Sequence, residues 1–423
     1  MGTADETATV HADSDLFTDH QRWGDIDDWN RTALDLHAVG GIHRIEREGI
    51  DPFWAVIDHA AVMDIERQPE LFTNEPEPVL AHREAIEQRD LTIRSLINMD
   101  APDHPKYRRL TADWFKPSSL KRMDDRLAEL SRQAVATFEA KGGRLEFCSE
   151  IAVPYPLQVI LKILGLPEDD YARMLKLTQE LFGGQDPDLQ REPLTPEVLN
   201  GIIADFFAYF SGLTAERQAN PTDDLASFIA NGEIDGEPMP TLEQLGYYII
   251  VATAGHDTTS SAMAGGMAAL AEHPDQFELL KNDPSLLNNA VEEMLRWTAP
   301  VRHFMRTATA DTVVAGQEIK KGDWLYLSYK AANLDPKVFD DPLRFDITRN
   351  NANKQISFGY GVHFCLGAQL ARNELRSLFG TLLPRLASVG LDGEVRTMKT
   401  TFVGGHKHVP LAYEMIPTEE VAS

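Results

Sequence analysis

The stretch Phe358-Gly359-Tyr360-Gly361-Val362-His363-Phe364-Cys365-Leu366-Gly367 runs a glycine-rich loop into a cysteine and then into an apolar segment with helical periodicity. A chain built this way sets Cys365 at the start of a helix. The unpaired amides and the dipole at such a position favour negative charge and bias the sulfur toward the thiolate. Gly361 permits a tight turn, and Gly367 lets backbone approach a flat partner where a side chain would collide. Amides aimed at the sulfur would lower its electron-donating power and set the reduction potential of a bound metal. The pattern predicts a thiolate ligand for an iron centre. The plainer alternative is a single buried thiol among apolar neighbours.

Phe358, Gly361, His363, Cys365 and Gly367 fill all five positions of the pattern Phe-x-x-Gly-x-His-x-Cys-x-Gly. At these residues the chain resembles the cytochrome P450 family of haem-thiolate monooxygenases. That family is itself the standing example of cysteine-ligated haem, so the ligation chemistry follows from the resemblance. The implied fold is mainly α with a small β region, a single-domain triangular prism with haem between a long central helix and the cysteine-loop helix. The implied cofactor is haem b, with Phe358, Gly359, Gly367 and Ala254 against it and Cys365 as axial ligand.

Composition narrows the rest. Forty Lys and Arg against 66 Asp and Glu give a formal charge of −26, which argues against nucleic acid and anionic membrane as partners. The two cysteines, Cys148 and Cys365, form no CxxC or CxxCH pair and no disulfide framework. The first residues are acidic and polar, without a basic and then apolar leader, and no run of 18 apolar residues is expected to span a membrane. A soluble, cytoplasmic protein of bacterial type is expected, with residues 1–20 a flexible acidic tail and 21–423 one domain.

Helical periodicity dominates, with strands expected at Phe53 to Ile57, Phe304 to Arg306, Asp311 to Val314 and Trp324 to Ser328, the last entered by the turn Lys321-Gly322-Asp323. Leu242 to His273 reads as one long helix interrupted at Ala254-Gly255-His256-Asp257-Thr258-Thr259. Glycine in mid-helix costs about 1 kcal/mol relative to alanine, so the interruption serves something other than helix stability. A hydroxyl there can bond a carbonyl one turn earlier, or a water can open the ladder. The alternative is an N-cap. Within the resemblance the patch matches the oxygen-activation motif, with Asp257 and Thr258 as its acid and alcohol.

Glu293 and Arg296 share a helix face at i and i+3. They read either as a surface ion pair or, by the resemblance, as the Glu-x-x-Arg pair that locks a loop beneath the haem, with Arg344 or Arg349 as third partner. The two haem propionates imply cations, and His104, Arg108, Arg306 and His363 are the matching positions. By the same analogy Val301, Phe304, Phe402 and Val403 face substrate, an apolar set suited to a monoterpenoid or alkyl-aromatic hydrocarbon. Arg83, Arg89 and Arg94, where the family keeps a lid, read as solvated. Segments around Ala252 to Ser261, Arg296 to Val301 and Thr401 to Gly405 resemble the terpineol-hydroxylating subfamily.

No HExxH, Walker-type loop, GxGxxG or GxSxG motif is present, so no flavin or nicotinamide site is expected in this chain. Electrons must come from a partner, which the resemblance makes an iron–sulfur ferredoxin served by a ferredoxin reductase. The implied reaction is reductive activation of dioxygen and hydroxylation of a small apolar substrate. Docking of the ferredoxin is expected on Arg109, Lys116, Lys354, Arg372 and Arg376. The rival readings are a peroxide-dependent peroxygenase, disfavoured by the acid and alcohol pair, and a non-catalytic haem sensor or carrier.

Overall fold

Two apolar half-helices in series, Thr241–Ala254 and Asp257–Glu272, form the axis of the fold. The computed structural model describes residues 14–87, 93–182, 185–189 and 195–417. The second half-helix is buried from Thr259 to Ala271, as its near-absence of charge requires. The helices Pro154–Leu164, Leu287–Thr298 and Ala368–Leu382 pack around this axis and share its apolar core. The last of these is the helix that follows Cys365, and it also packs on Asp124–Lys141, where Ser377 and Ser131 hydroxyls lie 2.8 Å apart.

A five-stranded sheet lies at the other side, in the order Ile42–Arg47, Ile50–Val56, Trp324–Ser328, His303–Ala308, Phe72–Thr73. Trp324–Ser328 runs parallel to Ile50–Val56 and antiparallel to His303–Ala308. Gly322, at φ +90°, makes the expected turn, its amide donating to Ala308 O at 2.8 Å. Ile42–Arg47 was not legible as a strand, because its sequence IHRIER carries charge at an edge that only pairing with Ile50–Val56 explains.

One expectation needs correction. The tail does not extend to residue 20: Leu16 and Phe17 are fully buried, and Phe17 meets Tyr326 edge-on at 5.4 Å. Residues 1–13 lie outside the described residues. Among the described residues one helix segment, Glu197–Ala219, is long and apolar enough to cross a membrane by length and composition. Phe210 on this helix stacks on Tyr248 at 4.7 Å, and Arg217 binds Asp224 at 2.8 Å, so one side is tied to the helical core.

Candidate haem-thiolate site

Gly361–His363 makes one tight turn, and Gly367 precedes the helix Ala368–Leu382. Gly361 sits at φ +66°, and a Cβ there would lie 2.0 Å from the Glu66 carbonyl oxygen, so both the turn and the contact require glycine. Cys365 N donates to Phe358 O at 2.9 Å, closing the loop on itself. The Arg372 guanidinium lies over the Phe358 ring at 4.5 Å.

Burial pushes the Cys365 thiol above its ordinary range, outweighing hydrogen bonds from the Gly367 and Ala368 amides and the charges of Arg108 and Arg372. The expected bias toward thiolate is therefore not supplied by the protein alone. A bound metal cation is what ionises a sulfur so placed. Cys365 is enclosed by protein yet open on one side, and a Cβ on Gly367 would meet nothing within 4 Å. Ala254 is likewise open, beside fully buried Thr253.

The axis breaks where the sequence predicts. Thr258 Oγ1 donates to Ala254 O at 2.7 Å, the bond to the previous turn. No side chain caps the second half-helix, so the N-cap alternative for this patch falls away. Gly255 serves packing instead of an opening, since a Cβ there would lie 2.3 Å from Ile160 Cδ1. Asp257 Oδ2 is buried without a protein partner.

His104, Arg108, Arg306 and His363 come together. The two imidazole rings lie 4.0 Å apart, and Arg108 Nη2 donates to Phe364 O at 2.5 Å. Tyr247, on the axis, holds the helix Asp103–Ala112 in place through Tyr107 O at 3.1 Å and Thr111 Oγ1 at 2.5 Å. The charge assignment needs correction, however. Burial and then Arg108 lower His104 to about 4. Burial, then Arg306, His104 and Arg108, lower His363 to about 2. Both imidazoles are neutral near pH 7, and each keeps a buried Nε2 with no partner. Arg306 is committed too: Nη2 binds Glu66 Oε1 at 2.9 Å and Nη1 binds Met305 O at 2.8 Å. Tyr329 donates to the same Glu66 oxygen at 2.7 Å. Glu66 was missed because nothing local to HAAVMDIE marks its last residue.

Orphaned imidazole nitrogens beside a guanidinium suit two carboxylates, whose charge would raise both histidines. With the cradle at Gly367 and the amides on Cys365, the residues present fit a propionate-bearing haem.

Arg296 and Glu293 are both fully buried and form a bidentate pair at 2.7 and 2.8 Å, so the surface reading fails. The third partner is Arg349, whose Nε lies 3.3 Å from Glu293 Oε2. Arg344 is exposed, 3.9 Å from Asp346, and offers only its carbonyl to the network.

On the substrate side Val301 bridges Val403, and the Phe304 and Phe402 rings lie 5.3 Å apart. Val301, Phe304 and Phe402 are half-buried, while Val403 is 4% exposed and belongs to the packing, a correction to its expected role. Gln185 and Asp186 also escaped notice: Gln185 Oε1 accepts from Thr401 N at 2.7 Å, and fully buried Asp186 binds Lys407 at 2.7 Å, which fixes the Phe402 segment. Arg83 binds Asp51 at 2.9 Å and Arg94 binds Asp103 at 2.7 Å, so both are paired instead of free in solvent; Arg89 lies outside the described residues.

A helical core broken at an acid and alcohol pair, with a cysteine loop open to the interior and flanked by orphaned imidazoles, defines the class as a haem-thiolate protein. The cytochrome P450 family model matches residues 198–402. Cytochrome P450-terp from a Pseudomonas species is 42% identical, over 86% of this chain and 89% of that protein. Steroid C26-monooxygenase from Mycolicibacterium smegmatis is 32% identical, over 85% of this chain and 83% of that protein. The crystal structure of CYP108D1 from Novosphingobium aromaticivorans superposes with a TM-score of 0.87 at 42% identity, covering 95% of this chain and 98% of that one. The chain belongs to the cytochrome P450 family and is a P450 monooxygenase. The family implies a cysteine-ligated haem iron.

Proposed function

We propose that this monooxygenase hydroxylates a small apolar molecule, a monoterpenoid or an alkyl-aromatic hydrocarbon, using dioxygen and electrons from a ferredoxin and its reductase in the cytoplasm. The observation that carries the substrate reading is the apolar wall of Val301, Phe304 and Phe402, with the neighbouring Arg302 turned away over the Trp23 ring at 3.8 Å. The 42% identity to cytochrome P450-terp supports the same class. Burying a ten-carbon hydrocarbon at roughly 25 cal/mol per Å² gives micromolar binding without a charged anchor.

Haem b, when bound, supplies reductive activation of dioxygen. Cys365 would hold its iron, and His104, Arg108 and His363 would receive its propionates, with Arg306 completing the clamp through its tie to Glu66. Thr258 orients a hydroxyl at the break of the axis, and Asp257 delivers protons there. Of the five cations expected to meet the ferredoxin, Lys116 is paired with Asp113, and Arg372 with Glu292 at 3.0 Å. Arg109, Lys354 and Arg376 have no acidic partner within ion-pair distance among the described residues, and Arg109 shares a groove of about 410 Å³ with Arg108 and Val362. A local positive patch can steer an acidic partner despite the net charge, because charges beyond about 8 Å are screened.

Spectral titration of the ferric protein with monoterpenoids, alkylbenzenes, a steroid and a fatty acid tests the substrate class. The first two groups shift the spin state at micromolar concentration and give hydroxylated product with ferredoxin. A response confined to the steroid or the fatty acid refutes the reading. Arg109→Glu slows reduction by ferredoxin but not by dithionite, and equal slowing with both refutes the docking assignment.

A further inference from the structure

His303 opens the strand His303–Ala308 and is fully buried, stacked on the Tyr326 ring at 4.2 Å. The residue that follows it is Phe304 of the apolar wall. Two segments remote in the chain meet its imidazole. Nδ1 lies 3.0 Å from the Thr401 carbonyl, one residue before Phe402. Nε2 lies 3.0 Å from the Leu80 amide nitrogen, in the stretch that leads into the helix Arg83–Glu87.

These partners leave a single proton arrangement. A carbonyl only accepts, so Nδ1 carries the hydrogen, and a backbone amide only donates, so Nε2 presents its lone pair. One neutral imidazole satisfies both, and a second proton on the ring would confront the Leu80 N–H. Burial lowers His303 to about 3, against the pull of the Thr401 carbonyl and with the help of Arg302. The ring is an uncharged link with a donor at one end and an acceptor at the other.

That link bears on the substrate wall. The Phe402 ring meets the His303 ring edge-on at 5.6 Å and the Phe304 ring at 5.3 Å. Main-chain bonds already pair the Phe402 loop with the entry to the strand, Arg302 N donating to Phe402 O at 2.9 Å and Gly404 N to Pro300 O at 3.0 Å. They keep the loop folded without His303, but they neither reach Leu80 nor touch the Phe402 ring. We propose that His303 is a positioning residue for substrate specificity: by holding the Thr401 carbonyl and the Leu80 amide at its two nitrogens, it fixes where Phe402 stands against Phe304 and so which carbon of a bound hydrocarbon is presented for oxidation. This inference rests on the reading of Phe304 and Phe402 as substrate-facing.

The test compares the parent, His303→Phe, His303→Asn and Phe402→Ala as haem-loaded enzymes, with ferredoxin, reductase and p-cymene, whose methyl and isopropyl carbons give distinguishable alcohols. Phenylalanine keeps the ring and its stack on Tyr326 but makes neither bond, whereas asparagine can still donate to Thr401 O. A misplacement of about 1 Å can cost roughly 100-fold, so a partial displacement of the wall is expected to change the ratio of the two alcohols about threefold or more in His303→Phe. His303→Asn is expected to return toward the parent ratio, with the carbon monoxide spectrum unchanged in both. A lowered melting temperature with an unchanged alcohol ratio makes His303 merely structural and overturns the inference, as does an asparagine variant no nearer the parent than the phenylalanine one. An unchanged ratio in Phe402→Ala overturns the reading beneath it instead. If p-cymene does not bind the parent, limonene, or failing that the steroid or fatty acid that shifts the spin state, takes its place with the same outcomes. Should the His303 variants fail to load haem, nitrogen-15 histidine NMR of the parent's diamagnetic ferrous carbon monoxide complex decides. A ring in contact with Tyr326 that is protonated at Nδ1 and bare at Nε2 supports the link, and the opposite tautomer or a doubly protonated ring refutes it.

Discussion

Replacing Glu293 by glutamine tests whether the buried ion triad holds the loop beneath the haem. Glu293 Oε1 accepts from Arg296 Nη2 at 2.8 Å and from Asp346 N at 3.0 Å, while Oε2 accepts from Arg296 Nε at 2.7 Å and faces Arg349 Nε at 3.3 Å. Every group on both oxygens is a donor, so a glutamine NH₂ meets a donor whichever way it turns. Two buried guanidinium groups also lose their counter-charge. Breaking a buried pair from one side costs about 3–5 kcal/mol, a large part of a total of roughly 5–15. With an unfolding entropy of about 2.1 cal/mol/K per residue, about 4 kcal/mol in a chain of this size lowers Tm by roughly 4–5 °C. Circular dichroism melting at a fixed scan rate, with haem retention read in parallel, measures the shift. Arg344→Ala is the control, because that exposed side chain is outside the triad and its loss is worth within about 0.5 kcal/mol. A Glu293→Gln shift no larger than the control's would refute the argument that burial makes this network structural.

Gly361→Ala and Gly367→Ala separate loop geometry from the haem cradle. The first combines a left-handed φ with backbone overlap, so it destabilises the apoprotein by more than about 1 kcal/mol in urea titration. The second changes apoprotein stability by less than about 0.5 kcal/mol but weakens haem retention, and unchanged retention would count against the cradle. Thr258→Ala leaves the substrate spin shift in place while electrons go to hydrogen peroxide in preference to product; unchanged coupling in a peroxide assay argues against Thr258 as the positioned hydroxyl. Burial, then Arg296 and Arg302, lower Lys330 to about 7. The unfolded chain therefore binds the extra proton between about pH 7 and about 10.4, so this group's contribution is full above that window and lost as pH falls through it. Lys330→Met should flatten stability between pH 7 and 10, and a parallel profile of urea midpoints would refute the assignment.

Wherever a property depends on a few consecutive residues, the sequence by itself determined it. The ligand loop is one such case, since Gly361, Cys365 and Gly367 act through φ, local amides and the helix that follows. The break of the axis is another, because Thr258 reaches a carbonyl only four residues back. Tertiary structure alone decided the charges and partners. The lowering of His104 and His363 and the raising of the Cys365 thiol follow from desolvation by segments far apart in the chain. The engagement of Arg306 depends on Glu66, 240 residues away, and the choice of Arg349 over Arg344 depends on which of them the loop folds inward against Glu293. Val403 alternates into the packing while Phe402 does not, a matter of which side of the bridge to Val301 each residue takes. A motif fixes which atoms are available, but burial and long-range pairing set their charge and direction, and those are properties of the assembled fold.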